Sequence, residues 1–193
     1  MSAPALTLAA VRKRKPCDDA MIRLSGLPKR GKITAQQARD AGASYDDIIW
    51  IASAVAMDDD NIARRLTAFV NDCAKRVLHI WEQAHPDDSR PRRAIEACDA
   101  FLAGTGSEAE WKAAAWDARA AWDAWAAWDA LPARAAWAAL PARAAWAARA
   151  ARDAFYAWQF DRLIYWLGDS PVPLPMPSHG KDDSEALAMG GEA

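Results

Sequence analysis

Two groups of residues in this chain of 193 residues have types and spacing that could do chemistry. The first group places acidic and basic side chains around two prolines, Pro86 and Pro91. It consists of His85, Asp87, Asp88, Arg90 and Arg92. A histidine beside carboxylates could act as a general base, and such a charged loop could bind a partner. The alternative interpretation is structural, because a charged loop can also fix the joint between two helices.

The second group combines tryptophan and arginine in an alanine-rich repeat. Its members are Trp128, Arg134, Trp137, Arg143, Trp146 and Arg149. Tryptophan and arginine dominate the energetic hot spots of protein interfaces, and both can stack on bases while arginine binds phosphates. Tryptophans at helical spacing also commonly lie in a core. We therefore treat these residues as candidates for partner or ligand binding, with core burial as the alternative.

Specific catalytic and metal motifs are absent from the sequence. There is no nucleophile elbow, zinc-protease motif, phosphate-binding P-loop, dinucleotide fingerprint or calcium loop. The three cysteines, Cys17, Cys73 and Cys98, are odd in number and lack paired spacing, so they indicate neither a disulfide framework nor a zinc site. We predict a protein that is not an enzyme and that uses no cofactor or metal.

Charge argues against a nucleic-acid partner. The formal net charge of −2 gives no overall attraction to phosphates. A basic cluster between Arg12 and Lys32 is interpreted as a solvated surface, with a phosphate-contacting patch as the alternative. The turn at Gly42 has the spacing of a helix-turn-helix, but Asp46 and Asp47 would then face the phosphates and repel them.

The hydropathy of the sequence predicts where in the cell the protein is located. No stretch of 18 consecutive apolar residues is present, and the first ten residues lack the pattern of a secretory signal. We expect a soluble cytoplasmic protein without a membrane contact, located in the host cytoplasm if a phage encodes it.

The elements that must position these residues are predicted to be helices. After Asp58, apolar residues recur at steps of three and four as far as about Gln83, which predicts one long helix with a core stripe. That stripe comprises Ile62, Leu66, Phe69, Val70, Cys73, Val77, Ile80 and Trp81, whereas Arg65 and Lys75 fall on other faces. Ser89 is predicted to cap the next helix, which ends at Gly104.

Signals for the start of a helix also occur before and after this part of the sequence. Ser44 with Asp47, and Ser107 with Glu110, have the spacing of capping boxes that open helices. We therefore predict an all-α fold, a helical bundle with a long, proline-kinked repeat region. The predicted parts are an N-terminal helical region over 1–104, repeat helices packed on it over 105–168, and a flexible tail over 169–193.

The repeat has two consequences. Between Trp111 and Trp166 the chain holds nine of its 11 tryptophans, and Pro132 and Pro141 should kink or break the helix. A nine-residue step turns a straight helix by about 900°, so repeated tryptophans would alternate between opposite sides. One face cannot bury them all. Either the rest of the fold and a second subunit or partner cover both sides, or the proline kinks re-aim the tryptophans. We expect the first, with copies of the chain associating.

Two strings of residues resemble a known family. They are Cys-Ala-Lys-Arg-Val-Leu-His-Ile-Trp-Glu from Cys73, and His-Pro-Asp-Asp-Ser-Arg-Pro-Arg-Arg-Ala-Ile-Glu from His85. With the helix ending at Gly104, they resemble the immunity proteins associated with bacterial polymorphic toxins. The layout is also similar to uncharacterised phage and prophage proteins with alanine and tryptophan repeats. The resemblance implies an interaction protein, and it carries no catalytic residue to this chain.

Two functions from different classes follow. The leading hypothesis is a phage-borne, mobile-element or immunity-type protein that is not an enzyme and that neutralises a bacterial toxin or defence component by direct protein binding. The alternative is an oligomeric sponge, in which tryptophan and arginine of the repeat line pockets for a nucleotide immune signal.

Overall fold

The computed structural model describes the backbone of residues 3–16, 18–23, 31–129, 142–169 and 171–176, and their side chains apart from 84, 119–129 and 142–152. Over these residues the fold is all-α with one small sheet, which confirms the predicted class. The helices are α1 Leu8–Lys13, α2 Asp18–Arg23, α3 Ala35–Asp40, α4 Tyr45–Ala56, α5 Asp60–Ala84, α6 Arg90–Ala103, α7 Glu108–Asp129 and α8 Ala142–Trp166. The strands are β1 Ala5–Thr7 and β2 Lys32–Thr34.

The chain divides into two compact units. The first comprises Met1–Val70 with Asp129–Val172, and the second comprises Asn71–Trp128 with Pro173–Ala193. Helix α5 contributes residues to both units.

In the first unit, β1 pairs antiparallel with β2, with Leu6 opposite Ile33. Capping boxes start the two helices that follow, at Thr34 for α3 and at Ser44 for α4. The core is apolar and includes Leu8, Ile33, Ile48, Val55, Ile62, Phe69, Leu163 and Leu167. The cap of α4 was expected from its spacing, whereas the sheet was not.

Arginines tie the elements of the first unit together. Arg14 donates to the carbonyl oxygen of Ala54 and to the carboxylate of Asp58, at 2.5 and 2.6 Å. Arg65 is buried and donates to the carbonyl oxygens of Trp166 and Gly168, at 2.7 and 2.6 Å. These guanidinium groups therefore bond carbonyls in the last turn of α4, at the end of α8 and just beyond α8, where partners within the helix run out.

In the second unit, the C-terminal part of α5 pairs antiparallel with α6. Glu82 of α5 bonds Arg92 of α6, and Lys75 of α5 bonds Asp99, seven residues further along α6. Antiparallel order is the arrangement expected when a short loop joins two helices. Gly104 ends α6 in the left-handed conformation, with a φ of 77°, as the sequence predicts.

The predicted core stripe of α5 is partly wrong. Val70, Val77 and Ile80 are exposed, whereas Arg65 and Lys75, expected on the outer faces, are buried. The reason is that α5 has apolar residues on more than one face, and buried partners rather than hydrophobicity decide which face turns inward. Ser89 likewise precedes α6 but forms no capping bond with its side chain, because its backbone, with a φ of −84° and a ψ of 1°, is not in the extended conformation of a capping residue. Asp88 instead accepts a hydrogen bond from the backbone N–H of Arg90.

The described part of the tail has defined contacts where the sequence predicts flexibility. Residues 171–176 belong to no helix or strand. In the first unit, the N–H of Val172 donates to the hydroxyl of Tyr165 and its carbonyl accepts from Arg162, both at 2.7 Å. In the second unit, Leu174 is bonded to α5. The kinks expected at Pro132 and Pro141 lie outside the described residues.

Candidate partner-binding surface

The charged loop between α5 and α6 is bonded mainly to its own neighbourhood. The carboxylate of Asp88 accepts two hydrogen bonds from the Arg90 guanidinium, at 2.8 and 2.9 Å. These bonds to Arg90 hold the pKa of Asp88 below its usual value. The ring centroids of His85 and Trp81 lie 4.3 Å apart, and Asp87 is exposed. This geometry is what a joint between two helices requires.

Arg92 completes that joint. Its side chain is buried, and its guanidinium donates two hydrogen bonds to the carboxylate of Glu82, at 2.6 and 2.8 Å. Such a paired geometry is specific to arginine because a lysine offers no planar fork. Arg92 therefore joins α5 to α6. Partner binding by Arg92 and by His85, Asp87, Asp88 and Arg90 stays a prediction.

The repeat candidates lie outside the side chains that the structure describes. This applies to Trp128, Arg134, Trp137, Arg143, Trp146 and Arg149. Their assignment as partner-binding or ligand-binding residues stays a prediction. At the described start of α7, Trp111 stacks on Phe101 with ring centroids 5.2 Å apart, and Trp116 is exposed.

A surface that sequence analysis missed lies on α5. Ile80 is 59% exposed and Val77 is 38% exposed, and the partly buried Cys73 precedes Val77 by one turn. Residues at steps of three and four share a helix face. We call Cys73, Val77 and Ile80 the outer face of α5. An apolar face turned to solvent on a long helix is typical of a protein contact.

The opposite face of this helix explains why sequence analysis missed the outer face. Asp72, Lys75 and Leu78 are buried in the second unit, although two of them carry a charge. Hydrophobic periodicity assigns Val77 and Ile80 to the core because it takes no account of ion pairs between helices. Asp99 of the next helix forms such a pair with Lys75 and stabilises it on the buried face. The signal that could have revealed the arrangement is the spacing of Asp72 and Lys75, three residues apart on one face.

The first unit contains a cavity of about 90 Å³. Apolar side chains line most of it, including Leu6, Val11, Ile48, Trp50 and Val55. Among the described residues lining it, the polar side chains are Thr34 and Asp47, and there is neither lysine nor arginine. This cavity therefore suits an apolar group and offers no cation for the phosphates of a nucleotide.

One cysteine of the second unit is chemically shielded. Burial raises the pKa of the Cys98 thiol to about 11, which disfavours the reactive thiolate. Neither Cys73 nor Cys98 forms a disulfide. Among the described residues, no cluster of three or more histidine, cysteine or acidic side chains could hold a metal ion, and no helix is long and apolar enough to cross a bilayer.

The fold shows only that the protein is all-α, and comparison with known proteins identifies its family. The family model described as "Imm-5 like putative immunity protein" matches residues 59–159, more than half of the chain. The chain belongs to this family, which confirms the resemblance carried by the strings at Cys73 and His85. The match includes all of α5, and therefore its outer face. No curated protein and no solved structure matches the chain.

Proposed function

We propose that this protein neutralises a bacterial protein toxin by binding it directly, and that the outer face of α5 forms part of the contact. The observation that carries the proposal is an exposed apolar helix face inside the region that matches the immunity family. The partner would present an apolar groove or helix face, because only such a surface gains by covering Val77 and Ile80. Neutralisation by contact needs no catalytic residue in this chain. If a mobile element carries the gene, a defence component would be the equivalent target.

The expected energy of the contact is large enough to test. Covering the exposed parts of Val77 and Ile80 should contribute about 1–3 kcal/mol together. Placing a charge on that face would remove this gain and add the cost of burying an unpaired ammonium group. The double variant V77K/I80K should therefore weaken binding to the toxin by at least about a hundredfold.

Co-expression in bacteria with a panel of toxin domains from polymorphic toxin systems tests the proposal. The unmodified chain should restore growth against its cognate toxin, and V77K/I80K should not. M57K is the matched control, because Met57 is an exposed apolar residue of the first unit, 85% exposed. Circular dichroism and thermal unfolding must show that both variants are folded. Equal rescue by V77K/I80K and M57K would contradict a role for this face.

Cys73 supplies a second readout that needs no mutation. Its thiol lies on the outer face, whereas Cys98 is buried. Alkylation followed by peptide mapping should label Cys73 in the free protein and label it several times more slowly in the complex. Unchanged labelling of Cys73 in a complex of proven stoichiometry would place the contact elsewhere.

A further inference from the structure

We propose that α5 and α6 carry a binding site for the backbone of a residue that lies between two prolines in an extended peptide. Leu174 of the same chain occupies this site. The site lies in the second unit and is formed by Asn71, Asp72, Lys75 and Asp99, which we call the Leu174 site. It goes beyond toxin binding, because it uses the opposite face of α5 and a different kind of ligand.

The charges of the Leu174 site are deeply buried. Asp72 is 1% exposed and Lys75 is 3% exposed. Charged groups at such depth persist only with partners, since burying an unpaired charge is very unfavourable. One oxygen of Asp99 accepts hydrogen bonds from the amide of Asn71, at 2.8 Å, and from the ammonium of Lys75, at 2.7 Å.

Two side chains of the Leu174 site also bond the backbone of Leu174. The N–H of Leu174 donates to the carboxylate of Asp72, at 3.1 Å. The carbonyl oxygen of Leu174 accepts from the ammonium of Lys75, at 2.9 Å. Both backbone groups of one residue are therefore bonded by two side chains that lie one helical turn apart on α5.

This arrangement imitates the edge of a β-sheet. In an extended chain, the N–H and C=O of one residue point to the same side, and a residue in the neighbouring strand bonds both. Asp72 supplies the acceptor and Lys75 supplies the donor that such a neighbour would supply. Recognition of this kind binds peptides by their backbone, as when a peptide adds a strand to a sheet.

The sequence around Leu174 defines the class of ligand. Pro173 and Pro175 have no N–H, so the N–H of Leu174 is the sole donor in these three residues. Prolines also hold the segment extended before it binds, which lowers the entropic cost of docking. Any extended segment with one N–H between two prolines has the groups that the Leu174 site bonds, including such a segment from another protein.

A synthetic peptide tests the site in the full chain. The L174P variant removes the N–H that Asp72 accepts, and L174A is the matched control that keeps it. The probe is a fluorescently labelled peptide with the sequence of residues 171–176, followed by anisotropy. In L174A and in the unmodified chain, the protein's own tethered segment competes with the labelled peptide at an effective concentration on the order of millimolar. The labelled peptide should therefore bind L174P at least about tenfold more tightly than it binds L174A or the unmodified chain.

Two results would overturn the proposal. One is failure of the peptide to bind folded L174P. The other is equal binding of a peptide whose leucine nitrogen is methylated, because that peptide cannot donate to Asp72. Hydrogen exchange in the unmodified chain gives an independent readout. The Leu174 amide should exchange at least about tenfold more slowly than it does in the free peptide, and unprotected exchange would also contradict the site.

Discussion

At the scale of residues, the described structure places several charges inside and gives each one defined partners. Arg65 bonds two carbonyl oxygens, Arg92 bonds the carboxylate of Glu82, and Lys75 bonds Asp99 and Leu174. The general expectation that charged residues lie at the surface fails at these positions. Sequence alone could not show this, because each of these partners lies at least ten positions away along the chain.

Asp47 gives a prediction about pH. Hydrogen bonds from the Arg23 guanidinium, both at 2.7 Å, are the main cause that lowers the pKa of Asp47 from 3.8 to about 2. A pKa lowered by folding stabilises the protein above the unfolded value, and that stabilisation is lost as the pH falls from about 4 to about 2. D47N should lower the free energy of unfolding at pH 7 by about 1–2 kcal/mol, measured by urea denaturation.

The comparison with D46N isolates this effect. Asp46 occupies the same first turn of α4 but is exposed. D46N should change the stability at pH 7 by no more than about 0.5 kcal/mol. The stability difference between D47N and the unmodified chain should also shrink between pH 4 and pH 2. A difference that is constant with pH would show that the Arg23–Asp47 pair does not set it.

At the scale of elements, the sequence predicts helix boundaries better than it predicts helix faces. The bonds of the capping boxes at Ser44 and Ser107 form as expected, and Gly104 ends α6 as expected. These signals are local, so a few neighbouring residues determine them. The strands β1 and β2 have three residues each and pair across at least 25 positions of sequence, so no local pattern predicts them.

Helix α5 offers a direct test of which face is buried. Leu78 is 2% exposed and Ile80, two positions later, is 59% exposed. L78A should lower the free energy of unfolding by about 2–4 kcal/mol through loss of packing and formation of a cavity. I80A should cost less than about 1 kcal/mol, because solvent already reaches most of that side chain. Thermal or urea unfolding of the two variants measures both values.

The reverse order would mean that the stripe predicted from hydrophobic periodicity is the true core. The outer face would then have no exposed apolar surface to offer a partner. This pair of variants therefore tests the structural basis of the proposed function without requiring the toxin.

At the scale of the whole molecule, family membership and the exposed face of α5 support a binding function, whereas the alternative of a nucleotide sponge depends on repeat side chains outside the described residues. The family was recognisable from about 30 residues around His85 because that string is specific. The proposed binding face was not recognisable, since exposure of an apolar residue depends on how the helices pack.

Self-association stays a prediction of the repeat. If alternating tryptophans require cover on opposite sides, light scattering during size-exclusion chromatography should give a multiple of the mass of one chain. Replacing Trp137 and Trp146 with alanine should then yield the monomer, whereas W50A, which changes a tryptophan outside the repeat, should leave the assembly intact. A monomeric unmodified chain over a wide range of concentration would contradict the prediction.

The central claim is neutralisation by direct, stoichiometric contact through the outer face of α5, and titration of a purified cognate toxin tests it most directly. Toxin activity should fall linearly as the unmodified chain is added and should reach its minimum at a fixed molar ratio that does not change with incubation time. V77K/I80K should need at least about a hundredfold more protein for the same effect, and M57K should match the unmodified chain. Neutralisation by amounts far below the toxin concentration, or full activity of V77K/I80K, would contradict the claim.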